Sequence, residues 1–338
     1  MRVLVTGHTG FKGAWLTAML ASRGDEVVGL SLDPVPGSLF ERAGLADLLA
    51  VDARVDIRDA AATADAIRSM APDAVLHLAA QPLVRESYAH PRETFETNVN
   101  GTLNVLEAVG ATGSVGALVV ITTDKVYRNV EQRAGYREDD PLGGHDPYSS
   151  SKAMADLLTQ SWTASFPGVP TSIARAGNVI GGGDVSRDRL LPDLLASFRA
   201  GRAASLRYPA AVRPWQHVLD CLRGYIDLTD AVLAGGGAGA WNFGPKDESF
   251  VPVGELADRA AAIWGEYARW ESDTADHAHE AGLLALDAGR AERELGWHNR
   301  LPYPASLEWT IEWERAVDGG EGARAVTERQ IAAFEALP

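Results

Sequence analysis

The sequence predicts an α/β fold, a doubly wound parallel sheet with a smaller C-terminal α/β substrate lobe. Three observations predict it. Short β-branched or apolar runs alternate with helical patterns through the first half of the chain. The run Leu118-Val119-Val120-Ile121 is apolar without alternation, as strands covered on both faces are. The first run, Arg2 to Thr6, passes at once into a turn with glycines at 7, 10 and 13, and then into a helical pattern through Trp15, Leu16, Met19 and Leu20.

That order of strand, glycine turn and helix presents free backbone N–H groups and a helix dipole to a pyrophosphate, which makes the sheet Rossmann-like. A glycine triplet by itself also suits an ordinary β-to-α turn. Its place directly after the first strand favours a dinucleotide loop made by Gly7, Thr9, Gly10, Phe11 and Gly13. The second strand, Glu26 to Leu32, ends where an acidic residue would meet the adenosine ribose. Asp33 there implies NAD, since a carboxylate repels the extra phosphate of NADP; Ser31 in that place weakens the discrimination. Asp56 and Ile57 follow a third short strand and are candidate adenine contacts, with a plain loop aspartate as the alternative.

A fourth strand, Ala74 to Ala80, ends in small residues, so Ala79 and Ala80 let a flat cofactor pass close to the backbone, and Gln81, Val84 and Arg85 open a loop above it. His77, inside that apolar strand, reads as a hydrogen-bonded core histidine. One amphipathic helix from Pro91 to Val109 carries Asn98. The central strand and Thr171 to Arg175 follow, giving six strands alternating with helices, and Ala240 to Phe243 is a candidate last strand. Residues 1–177, with returns near 213–244, are expected to form the dinucleotide-binding domain, and 178–338 an interleaved substrate-binding lobe. Helices are expected there at Leu190 to Arg199, Val218 to Leu233, Val253 to Trp264 and Pro304 to Arg315.

Composition narrows the partners. The chain has 338 residues, 46% of them hydrophobic, enough for a sizeable core, and a net charge of -15, which argues against nucleic acid. The single cysteine, Cys221, excludes an intrachain disulfide and fits a reducing compartment. No apolar run is long enough to span a bilayer, and strand character from Met1 leaves no room for a charged leader, so a cytoplasmic protein with no membrane partner is expected. No metal site is expected.

The chemistry concentrates in Thr123, Asp124 and Lys125, at the carboxyl end of the central strand, and in Tyr148 and Lys152, spaced i and i+4 so that they share a helix face. Lys152 is expected to lower the proton affinity of Tyr148 and make the phenol a base near neutrality. Arg213 is the first candidate for a diphosphate, with Arg187, Arg189 and the amide of Asn178 beside it, although each arginine also suits a surface ion pair.

With these residues assembled, the chain resembles the extended short-chain dehydrogenase/reductase family over essentially its whole length, through Gly7, Gly10 and Gly13 and through Tyr148 and Lys152. More narrowly it is similar to the CDP-glucose 4,6-dehydratase branch. Five segments carry that resemblance: 7–13, Thr122-Thr123-Asp124-Lys125, 143–152, 175–184 and 213–218. Lys125 is the discriminating residue, because dehydratases for other nucleotides carry glutamate there. Two departures lie in loops, Val185 in place of a tryptophan and Gln132-Arg133-Ala134 in place of an aromatic segment; they bear on substrate more than on fold.

The resemblance implies an NAD-dependent hydro-lyase acting on a nucleotide-sugar substrate, and a homodimer packed through helices near 94–109 and 148–165. It implies oxidation at carbon 4 by Tyr148 with Thr123 orienting the hydroxyl, then elimination by Lys125 and Asp124, whose acid and base labels stay open. A nucleotide-sugar epimerase or reductase of the same fold is the alternative, and a non-catalytic dinucleotide sensor a third.

Overall fold

The computed structural model describes the whole chain except Arg133, Asp247, Glu248, Glu266, Thr274 and residues 276–281. Its centre is a parallel sheet of strands β1 (Arg2–Thr6), β2 (Glu26–Ser31), β3 (Leu49–Arg54), β4 (Ala74–His77), β5 (Ala117–Ile121), β6 (Thr171–Ala176) and β7 (Gly239–Phe243), in the order β7-β6-β5-β4-β1-β2-β3. Connections run outward in both directions from β1 and β4, so the order reverses between these two strands, and the crevice for a ligand opens beyond their carboxyl ends.

Alternation within each strand explains the continuous apolar runs. Val3 and Val5 of β1 and Val119 of β5 point to one face, where helices α1 (Phe11–Ser22) and α6 (Val218–Leu233) cover them. Leu4, Val75, Leu118 and Val120 point to the other, against α2 (Ala60–Met70), α3 (Gly101–Gly110) and α4 (Pro147–Ser165). In these central strands both faces are dry, so a polar residue there must be paired, whereas the edge strand β3 is partly exposed. His77 illustrates this: it is buried, bonded to Thr6 Oγ1 at 2.7 Å and Thr102 Oγ1 at 3.1 Å, the core histidine that its apolar strand indicated.

A second core joins α5 (Leu190–Arg199), α7 (Val253–Trp264) and α8 (Tyr303–Asp318) through Leu191, Leu195, Phe198, Leu256, Leu307 and Ile311. A last helix, α9 (Ala323–Glu335), was not anticipated; it returns to the main core through Val326, Ile331 and Phe334.

Two elements depart from expectation in ways that matter for the site. The helix expected over 91–109 is interrupted: Pro91–Phe95 is helical, Glu96–Asn100 is a π-helical turn, and α3 starts at Gly101. A Cβ at Gly101 would lie 2.5 Å from Ile57 Cδ1, so glycine lets the helix close on the loop after β3. The wider turn buries Asn98, and such turns recur at functional sites. Strand β4 stops at His77, so Leu78, Ala79 and Ala80 leave the sheet and line the crevice.

Candidate active site

A groove of about 1990 Å³ runs along the carboxyl ends of the strands and between the two cores, large enough for two ligands end to end. Its floor is the glycine turn. Gly7 has φ +74°, and a Cβ there would stand 2.8 Å from Ala79 N; a Cβ on Gly13 would stand 2.1 Å from Gly7 O. Glycine is therefore required at both positions by the packing of turn, helix and β4 loop. Gly10 precedes α1 without any side-chain cap, leaving the first N–H groups of that helix facing the groove. Such a cradle fits a dinucleotide pyrophosphate.

Around it, Thr9 and Phe11 line the groove, and the Thr9 hydroxyl bonds the Ser31 hydroxyl at 2.7 Å. Ser31 lies on the groove wall at the end of β2. Asp33 does not: its side chain is 91% exposed and paired with Arg54 Nε at 3.5 Å, outside the lining. Asp56 and Ile57 line the adjoining end, where Arg58 holds Asp56 at 2.5 Å and, through that bond first, keeps its carboxyl below the usual range. Ala79, Ala80 and Gln81 form the opposite wall. Asn98 fixes that wall to α4: Gln81 N donates to its Oδ1 at 2.8 Å, while its Nδ2 donates to Gln81 O at 3.0 Å and Ser151 Oγ at 2.9 Å. Asn98 thus acts on the groove through the loop it holds.

The reactive arm comes from β5 and α4. After Ile121 the chain leaves the sheet into a short 3₁₀ turn, Asp124–Val126, with Thr123 as its cap. The Thr123 hydroxyl donates to Asp124 Oδ1 at 2.8 Å, and Lys125 N donates back to Thr123 Oγ1 at 3.4 Å. Helix α4 starts with Asp146 as N-cap: Ser149 N donates to Asp146 Oδ1 at 2.9 Å, Asp146 N donates to Ser149 Oγ at 3.1 Å, and Pro147 occupies the first helical position. This capping box sets Tyr148 in the first turn, where its N–H donates to Ser87 Oγ at 3.1 Å. Lys152, one turn on, donates from Nζ to Ile121 O at 2.8 Å. All five side chains, Thr123, Asp124, Lys125, Tyr148 and Lys152, line the same groove, and all but half-buried Lys125 are buried.

Burial governs the proton affinities. Desolvation raises the Asp124 carboxyl above its usual range, against the pull of Lys125, the Thr123 hydroxyl, Arg213 and Lys12, so it holds a proton more readily than a surface aspartate. Lys152 is brought down to about 8 by desolvation, with Asp156 opposing and Lys12 adding to the fall. Tyr148 corrects an expectation. Desolvation pushes its phenol up to about 12, with the Thr123 hydroxyl and Arg189 pulling the other way. In the ligand-free pocket desolvation outweighs those two groups, and the Lys152 ammonium donates to Ile121 O instead.

The second ligand space lies toward the smaller core. Val84, Arg85, Asn178, Arg187, Arg189 and Arg213 all line the groove. Several are already engaged: Arg85 Nη1 pairs with Asp188 Oδ1 at 2.7 Å, Arg189 Nη1 with Asp184 Oδ2 at 3.5 Å, and Arg213 Nη1 donates to Val212 O at 3.0 Å. Val185 is in the lining too, whereas Arg133 of the second departing segment lies outside the described residues.

A dinucleotide cradle and a tyrosine-lysine pair on one groove belong to a known family, and a model of the NAD dependent epimerase/dehydratase family matches residues 3–244. The chain belongs to the NAD dependent epimerase/dehydratase family. Within reach of this epimerase/dehydratase fold, it is 44% identical to a CDP-glucose 4,6-dehydratase of Salmonella typhimurium, over 98% of this chain and 96% of that one. It is 32% identical to a dTDP-glucose 4,6-dehydratase of Streptomyces griseus, over 92% and 93% of the two chains. Among solved structures, a dTDP-glucose 4,6-dehydratase of Streptomyces venezuelae, determined with NAD bound, superposes with a TM-score of 0.79 at 28% identity, covering 94% of this chain and 98% of that one. The UDP-glucose 4-epimerase of Thermotoga maritima shares the fold, with a TM-score of 0.82 at 20% identity, over 94% of this chain and 99% of that one.

Sequence reasoning passed over several residues of this epimerase/dehydratase site. Lys12 lines the groove and donates to the buried Tyr225 hydroxyl at 3.2 Å. Gly177 lets β6 pass close to the acid, since a Cβ there would be 2.9 Å from Asp124 Oδ2. Glu314, from α8, accepts from Gly183 N at 2.7 Å and so anchors the glycine-rich loop after β6. Lys12 and Gly177 lie within segments 7–13 and 175–184, but their contacts, like that of Glu314, span more than 50 residues of chain, so spacing did not disclose their roles.

Proposed function

We propose that the chain is an NAD-dependent hydro-lyase that converts CDP-glucose to CDP-4-keto-6-deoxyglucose. The observation that carries this reading is the buried carboxyl of Asp124 beside half-buried Lys125, directly after Thr123 and in the same groove as Tyr148. An oxidation alone needs only the tyrosine and lysine; an added acid and amine at that point suit an elimination. The 44% identity to the Salmonella CDP-glucose 4,6-dehydratase supports the nucleotide.

Gly7, Thr9, Gly10, Phe11, Gly13, Ser31, Asp56, Ile57, Ala79, Ala80 and Gln81 would hold the cofactor, with Lys152 on its nicotinamide ribose. NAD, when bound, would supply the acceptor and later the donor of the hydride that moves from carbon 4 to carbon 6, while Lys125 returns the proton to carbon 5. Tyr148 takes the proton of the carbon 4 hydroxyl while Thr123 orients it. The ketone so formed acidifies carbon 5. Lys125 removes that proton, and protonated Asp124 donates to the departing carbon 6 hydroxyl, which leaves as water. Of the pair, burial supports Asp124 as the acid. Arg213, Arg187 and Arg189, with Asn178, would grip the diphosphate, and Val84 and Arg85 would flank the sugar. In this reading residues 1–177, with the returns near 213–244, serve the dinucleotide, and the interleaved remainder of 178–338 serves the substrate.

The test is to offer CDP-, dTDP-, GDP- and UDP-glucose separately and follow the absorbance of the alkali-treated 4-keto-6-deoxy product. Turnover of CDP-glucose is expected; turnover of dTDP-glucose alone overturns the nucleotide, and turnover of none favours an epimerase or reductase of the same fold.

A cytoplasmic homodimer completes the proposal. Met154 and Leu157 stand 47% and 52% exposed on α4, an apolar pair that a second copy would cover. No helix among the described residues is long and apolar enough to cross a membrane. Sedimentation at micromolar concentration checks the assembly.

A further inference from the structure

Beneath the groove lies a buried polar network that none of the steps above uses. Arg175, on β6, is fully buried, and its Nε and Nη2 each donate at 2.8 Å to the two oxygens of buried Asp156. Its Nη1 donates to the Tyr127 hydroxyl and to Glu138 O, both at 2.8 Å. Tyr127 in turn donates to Asn242 Oδ1 on β7 at 2.7 Å. Thr122 Oγ1 donates to Asp156 Oδ2 at 3.1 Å, and Gln160 Nε2 donates to Asp156 Oδ1 at 2.7 Å.

The placement of these partners is informative. Asp156 is one helical turn beyond Lys152 on α4, Thr122 immediately precedes Thr123, and Tyr127 ends the 3₁₀ turn that carries Asp124 and Lys125. The ion pair therefore ties the helix bearing Tyr148 and Lys152 to both ends of the turn bearing Thr123, Asp124 and Lys125, the carboxylate through Thr122 and the guanidinium through Tyr127. A buried ion pair is a poor source of stability compared with an apolar substitute, but its fixed, bidentate geometry specifies position.

We propose that Asp156 and Arg175 are positioning residues that hold the two reactive arms in register, with Asp156 one turn beyond Lys152 on α4 and Tyr127 as the strut to the 3₁₀ turn. This rests on the assignment of Tyr148 and Lys152 to the chemistry. The charged groups acting on Lys152 are Asp156 from α4 and Lys12 from α1, with His77 of β4 near it; of these Asp156 favours the ammonium. Arg175 and Thr122 face Asp156 from β6 and from the end of β5, and Gln160 from α4.

Two variants separate the two parts of the proposal, each assayed as NAD-bound protein whose circular dichroism matches the parent. In Asp156→Asn the alkaline limb of the kcat/KM profile moves to lower pH by about one unit, since Lys152 loses its ammonium earlier, and Asp156→Glu restores it. In Tyr127→Phe the limb stays in place while kcat falls on the order of tenfold at little-changed KM, since the turn loses its strut. An unmoved limb in Asp156→Asn together with parental kcat in Tyr127→Phe overturns the proposal, and should Asp156→Asn fail to fold, the kcat of Tyr127→Phe decides. Lys152→Met and Tyr148→Phe serve as controls. If these keep full turnover, the underlying site assignment has failed; if they lose it while the network variants behave as the parent, the positioning role alone has failed.

Discussion

Thr123 donates its hydroxyl to a carboxyl oxygen of Asp124 at 2.8 Å inside a pocket that raises the proton affinity of that carboxyl. The bond aligns a buried acid beside Lys125 without consuming its second oxygen, next to which Gly177 leaves space. An acid so placed is suited to protonating a leaving hydroxyl, and the consequences are specific.

Asp124→Asn and Lys125→Ala should uncouple the two halves of the reaction. Each is expected to lower overall turnover by about 10²- to 10⁴-fold, the range of a lost general acid or base. Both should still oxidise carbon 4, seen as a rise in reduced-nicotinamide absorbance in a single turnover. Parental formation of the 4-keto-6-deoxy product by Lys125→Ala would remove Lys125 from the elimination.

Activity should fall as pH rises through about 8 in kcat/KM, because the Lys152 ammonium is lost there in the free protein. The sign follows from desolvation, which disfavours the charged amine and so brings its titration down from the ordinary lysine range. Lys152→Met should abolish this limb along with most of the turnover, as a rate-against-pH series would record.

Asp33→Ala should change NAD affinity by less than about threefold, since an exposed carboxylate with one distant arginine contributes little. Ser31→Ala breaks a 2.7 Å bond to Thr9 on the groove wall and should cost about 1 kcal/mol of binding, roughly fivefold. Calorimetric titration with NAD compares the two directly, and a larger loss in the Asp33 variant would return the ribose contact to that residue.

Gly13→Ala should remove NAD binding, because its Cβ would sit 2.1 Å from Gly7 O and displace the cradle. Gly24→Ala is the contrast: its φ of +88° costs about 1–2 kcal/mol of stability, but no atom lies within 4 Å and the groove is remote. Thermal melts with and without NAD distinguish the two losses.

Stability should fall in mild acid. Burial takes His77 down to about 3, far below the unfolded value near ~6.5, so below that pH the unfolded chain binds a proton that the fold refuses. His217, also about 3, acts in the same direction. Each group removes about 1.4 kcal/mol per pH unit between the two values. Urea unfolding of His77→Gln should show a pH slope shallower by that amount than the parent.

Much of this was legible in the chain itself. Period-two burial on both faces, the glycines at 7, 10 and 13, and the i, i+4 spacing of Tyr148 and Lys152 are local facts, and local facts decide strands, turns and helix faces. They specified the sheet and which side chains meet at its carboxyl edge. What tertiary structure alone decided is how those groups are charged and held. The phenol of Tyr148 titrates high and the Asp124 carboxyl is raised because the fold excludes water around them; Ser31 at the end of β2 lines the groove while Asp33, in the loop after it, points away; Arg175 meets Asp156 and Tyr127 across the sheet. Desolvation and long-range pairing depend on where distant segments pack, and no spacing within a single segment encodes that.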